Sequence, residues 1–178
     1  MDAMREPPDN AVDESLDDPI DDPGDAAALA QHARALADAV DAAVPGWIDR
    51  SIRRVLAEQG IEVDDALADR IDAASVEAGA EGTRRIRALL ATDIDEQAGN
   101  PLAVLRSLVR YATGVLEAAG ARPAARDEFA QRAFPADVYD LSPATFADVD
   151  PSLHEPGLVW GAAKAHVHLA RRRREGKR

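Results

Sequence analysis

The chain is 178 residues long with a mass of 19.0 kDa; 46% of it is hydrophobic but only 4% aromatic, it has no cysteine, and its net charge is −12. That length fits one domain with a core assembled from Ala, Leu, Val and Ile. The composition excludes disulfides, thiol catalysis and thiolate metal sites, and the acidity disfavours nucleic acid and anionic membranes as general partners. No uncharged apolar run approaches the ~20 residues that span a bilayer, and the opening MDAMREPPDNAVDESLDDP lacks the apolar stretch of a secretory signal, so a cytoplasmic protein is expected.

Residues 1–24 hold four prolines and a dense block of acids, a composition that predicts a disordered acidic tail. Its simplest role is solubility; folding back on the basic C-terminus is the alternative. Residues 25–174 are expected to form a single helical domain, and 175–178 a basic terminal tail. The first helix is expected to be capped by Asp25, with Leu29, Leu36, Val40 and Val44 on one stripe, and to end at Pro45-Gly46. A second places Ile48, Ile52, Val55 and Leu56 on one face, turns Arg50, Arg53, Arg54 and Glu58 largely away from it, and stops at Gly60. A third aligns Leu67, Ile71, Ala74 and Ala78, and a fourth offers Ile86, Leu89 and Leu90.

Asn100-Pro101 opens the strongest helix, since Asn caps well and Pro suits the first helical position. Its two apolar stripes are Leu102, Leu105, Val109, Ala112, Leu116 and Val104, Leu108, Tyr111, Val115; Arg106, Arg110, Thr113 and Glu117 form a polar strip. Such a helix has neighbours on more than one side. The fold predicted is therefore all-α: a compact multi-helix bundle with a central helix at about 100–119 and a buried C-terminal helix.

The last third carries more turn chemistry. A short helix over 123–134 is expected to face Phe129, Ala133 and Phe134 inward, DVYDL at 137–141 to be a short extended piece, and Ser142-Pro143 to start one or two turns anchored by Phe146 and Val149. A turn through Ser152 then leads to GLVWGAAKAHVHLARRRR. There His166 lies on the Leu158, Ala162 and Leu169 side, whereas His168 shares a polar face with Lys164, Arg171 and Arg172. Two residues apart on a helix, the histidines cannot chelate one metal as an i, i+4 pair can. His166 needs a hydrogen-bond partner, and His154, Glu155, Asp137, Tyr139 and Asp140 are the candidates from neighbouring segments. This network is read first as structural; a His–carboxylate general base or a ligand pocket are the alternatives. No metal, no cofactor and no catalytic residue is assigned, and phosphate-loop, dinucleotide, nucleophile-elbow and zinc-protease motifs are absent from the sequence.

The string DEFAQRAFPADVYDLSPATFADVDPSLHEPGLVWGAAKAHVHLARRR at 127–173 is similar to the C-terminal signature of a family of small, uncharacterised actinobacterial proteins. The similarity extends more weakly through GWIDRSIRRVL and the 100–119 helix. It implies a bacterial, cytoplasmic protein and carries no activity with it.

The expected function is that of a non-enzymatic interaction or regulatory protein with a protein partner. Its ends are oppositely charged, and the candidate interaction surface is Lys164, His168, Arg171, Arg172, Arg173 and Arg174. The alternative is a small-ligand binder or enzyme with a pocket between the C-terminal helix and the 137–156 loops. Nucleic-acid contact through the terminal arginines is disfavoured by the acidity of the whole chain.

Overall fold

The computed structural model describes residues 23–91 and 101–153. Within them lie five α-helices and no strand: α1 (Pro23–Glu58), α2 (Asp65–Ala91), α3 (Pro101–Ser107), α4 (Val109–Ala118) and α5 (Glu128–Ala133). A 3-10 turn at Phe146–Asp148 follows, and residues 151–153 are again helical where a turn was expected. The all-α bundle is as expected, but its division into helices differs. Of the tail expected at 1–24, Pro23 and Gly24 belong instead to α1, while residues 1–22 and the expected C-terminal helix lie outside the described residues.

The first difference is at Pro45-Gly46, where α1 runs on instead of breaking; it also begins at Pro23 instead of being capped by Asp25. A proline inside a helix removes one hydrogen bond and costs about 3 kcal/mol. Against that stands a continuous apolar stripe: Leu36, Val40, Val44, Ile48, Ile52 and Leu56 stay in phase across the proline and are fully buried. Each such side chain contributes about 1.5–3 kcal/mol on burial, so tertiary packing outweighs the local breaker.

The expected third and fourth helices are likewise one element. Helix α2 passes through Gly79 and Gly82 because both are contact points with α1. A Cβ built on Gly79 lies 2.8 Å from Pro45 Cγ, and one on Gly82 lies 3.2 Å from Val40 Cγ1 and 3.0 Å from Leu108 Cδ1. The proline that fails to stop α1 and the glycine that fails to stop α2 thus pack on each other. Polar links flank this seam, among them Thr83 Oγ1 donating to Asp41 at 3.2 Å and Arg53 beside Asp72 at 3.9 Å.

The segment over 101–118 packs on both α1 and α2, as its two stripes require. Val104, Leu105, Leu108, Val109, Ala112, Val115 and Leu116 are buried, and Leu102 and Tyr111 partly so. It is not one helix, however, but is interrupted at Leu108. Ser107 Oγ donates to the Val104 carbonyl at 2.6 Å and accepts from Arg85, and the surrounding backbone bonds tighten to Leu108 N–Leu105 O and Tyr111 N–Leu108 O, each 3.0 Å. A serine hydroxyl competing for a helix carbonyl is a recognised cause of such interruptions.

The stop at Gly60 is as expected, and Gly120 ends α4 in the same way. Gly60 (φ 67°) and Gly120 (φ 74°) take the left-handed conformation. Ile61 N–Leu56 O and Ala121 N–Leu116 O, both 2.9 Å, close the helix ends in the six-to-one pattern of a Schellman motif. The two ends are joined by Gln59, whose side-chain amide donates to Arg122 O at 2.9 Å and accepts from Arg122 N at 2.7 Å.

One polar cluster sits where α2 meets α4. Glu81 receives hydrogen bonds from Arg110 and from the Tyr111 hydroxyl, with Arg85 3.5 Å away. The hydrogen bond from Arg110 is the main reason its carboxyl is held down to about 2, with the Tyr111 bond second. A carboxyl lowered on folding stabilises the protein above its unfolded value near 4.5 and loses that contribution as pH falls toward 2. Glu81→Gln is therefore expected to lower stability at neutral pH by about 1–2 kcal/mol and to flatten the wild-type loss of stability between those two pH values. Urea denaturation as a function of pH measures both, and an unchanged acid limb would show that Glu81 is not coupled to folding.

Candidate functional site

Residues 121–150 form an irregular layer over the helices, held by side chains that reach backbone carbonyls. Arg106 donates to Pro143 O at 2.9 Å and Ala144 O at 3.1 Å, and its guanidinium lies over the Phe134 ring, 5.2 Å from the centroid. Arg50 donates to Val149 O at 3.2 Å. Arg106 and Arg50 thus fasten loop to helix, although the helical phase alone turned both toward solvent.

The DVYDL segment is a turn, not an extended piece. Asp137 is 1% exposed, and its carboxylate accepts from Leu141 N through both oxygens at 2.8 and 2.9 Å, and from Ser142 N at 2.6 Å. Tyr139 is also buried; its hydroxyl donates to Ala121 O at 3.0 Å, and burial, with Glu117 adding to it, pushes its ionisation up. Asp140 projects to solvent with φ 58°, in the left-handed region. Of the sequence candidates among the described residues, then, Asp137 and Tyr139 hold the turn and Asp140 alone is accessible. His154, Glu155 and His166, and the surface of Lys164, His168, Arg171, Arg172, Arg173 and Arg174, lie outside the described residues.

Two other expectations are corrected nearby. The start at Ser142-Pro143 shifts to Thr145, whose backbone N–H and hydroxyl are bonded to Asp148 at 2.7 and 3.1 Å; these bonds hold the Asp148 carboxyl below its usual value. Val149 is buried, as expected, and Phe146 only partly. Helix α5 spans Glu128–Ala133 and buries none of its residues: Phe129 is 78% exposed and Ala133 is exposed, while Phe134 is half-buried under Arg106. The reason is the cap. Asp127 accepts from Ala130 N at 2.7 Å, while Arg126 closes the other end on Ala130 O at 2.6 Å and Phe134 O at 3.0 Å. This fixes a helical phase that points Phe129 outward.

A cleft of about 370 Å³ opens between the second half of α1 and residues 140–148. Trp47, Arg50, Ser51 and Arg54 line one wall, and Asp140, Leu141, Pro143 and Asp148 are on the other. It borders the 137–156 loops where a pocket was expected, but its opposing wall is α1. That wall was missed because reading a helix break at Pro45 detached Trp47 from the stripe before it. The i, i+4, i+7 recurrence of Trp47, Ser51 and Arg54 beside the apolar stripe is the signal that marks it.

Among the described residues, no helix is long and apolar enough to cross a membrane, and no group of three or more His, Asp or Glu side chains is placed to hold a metal ion. No protein-family model matches the chain, nor does any curated protein or any solved structure.

Proposed function

We propose that this is a non-enzymatic cytoplasmic interaction or regulatory protein, with a protein partner docking on the layer formed by residues 121–150. The observation that carries this reading is α5. A six-residue helix that buries nothing is nevertheless capped at both ends, so it presents Phe129 rigidly to water. Burying a large aromatic held in one orientation gives a partner contact area at little entropic cost, which is why such residues dominate interface energies. The expected charge-polarised termini and the family resemblance at 127–173 belong to the same reading.

Phe129→Asp tests it. With no buried neighbour to strand, the variant is expected to stay within about 0.5 kcal/mol of wild-type stability. Its affinity for partners recovered by crosslinking from the native cell is expected to fall more than about tenfold, the loss typical of an aromatic hot spot. Undiminished recovery of every partner would remove α5 from the interface. A second reading, small-ligand binding, is favoured by the cleft beside Arg50 and Arg54.

A further inference from the structure

The cleft between α1 and the 140–148 loop is polarised. Its helical wall carries the cations Arg50 and Arg54, one turn apart, with Ser51 between them; its loop wall carries Asp140 and Asp148. These groups are not equally committed. Asp148 is engaged by Thr145, whereas Asp140 has no ion pair or hydrogen bond among the described residues. Arg50 spends one nitrogen on Val149 O, and among the described residues the only acid paired with Arg54 is Glu58 at 3.9 Å, a loose and solvated contact.

Ser51 supplies the independent observation. It is 8% exposed, its hydroxyl has no hydrogen-bond partner among the described residues, and it lines the cleft. That hydroxyl is not among the buried unpartnered atoms, so it opens to the water of the cleft and is free to bond a ligand there. The volume, about 370 Å³, falls within the usual range for small-molecule sites.

The geometry points to a site for a small zwitterion: an anionic carboxylate on Arg50, Ser51 and Arg54, and an ammonium group on Asp140. Free amino acids and short peptides with both ends uncapped share this chemistry. This rests on the ligand-binding reading and is independent of docking through Phe129. A guanidinium and a hydroxyl match the two oxygens of a carboxylate, while the acidic wall favours a ligand that brings a positive charge.

The probes are L-alanine, L-alanyl-L-alanine, and the dipeptide capped either at its amine by acetylation or at its carboxylate as an amide. Binding is followed by amide and indole chemical shifts of the full chain. Uncapped dialanine is expected to shift the signals of Trp47, Ser51 and Leu141, and each cap to weaken binding at least tenfold. L-alanine matching dialanine assigns the site to free amino acids; L-alanine binding at least tenfold more weakly assigns it to peptides. Arg54→Gln is expected to weaken dialanine tenfold or more, and Asp140→Asn to reduce it to the level of the acetylated form. Both residues are exposed, and Asn tolerates the left-handed backbone at 140, so fold is retained and is checked by circular dichroism. Capped forms that bind as well as dialanine overturn the zwitterion assignment while leaving a ligand site. No shift of any probe at about 10 mM, well above a millimolar Kd, overturns the site itself. Neither result bears on the partner recovery measured with the Phe129 variant.

Discussion

Replacing Asp137 by Ala is expected to cost about 3–4 kcal/mol, a large share of the 5–15 kcal/mol that holds a domain of this size. The carboxylate is buried and, among the described residues, is the only acceptor for the N–H groups of Leu141 and Ser142. Hydrogen bonds to a charged acceptor are worth about 1.5–3 kcal/mol each, and deleting the acceptor strands both donors. Asp137→Asn keeps one carbonyl oxygen and should lose about half as much. Urea denaturation of the two variants measures this, and an Ala variant within about 1 kcal/mol of wild type would mean that water replaces the carboxylate.

The second large effect is a reversal of sign. Gly79→Ala alone places a methyl group 2.8 Å from Pro45 Cγ and 3.1 Å from Cδ, atoms of a ring that cannot swing away. Overpacking of this kind costs about 1–3 kcal/mol. Once Pro45→Ala has removed the ring, the closest remaining atom of residue 45 is its backbone nitrogen at 3.9 Å. The same Gly79→Ala change is then expected to stabilise, through the gain of about 1 kcal/mol that alanine has over glycine in a helix. A double-mutant cycle with thermal or chemical unfolding reads the coupling directly. Additivity of the two changes would show that α1 and α2 do not meet at this point.

The same pair explains what was legible in the sequence. Heptad-like stripes identified the core: Leu36, Val40, Ile52, Leu105, Ala112 and Leu116 are all fully buried as their spacing requires. Pro45 and Gly79 misled because a residue that weakens an isolated helix also lets two helices approach closely, and only the partner helix reveals which role applies. In the C-terminal third, the burial of Val149 was expected, but that of Tyr139, read as a polar partner for His166, and the outward direction of Phe129 were not. That direction depends on which residue caps α5, and Asp127 competes for the role with other turn-forming residues nearby. The cleft was legible only on its loop side. Its cations belong to a stretch of α1 nearly a hundred residues away in sequence, a separation no local pattern spans.

The pairing of Gln59 with Arg122 has a consequence for how the bundle opens. A primary amide that both gives to and takes from a single residue's backbone copies the pairing of neighbouring strands, so the exits of α1 and α4 behave as one latch. Fraying of either helix end releases the other's bond. These two termini, 63 residues apart along the chain, therefore belong to one cooperative unit of local unfolding.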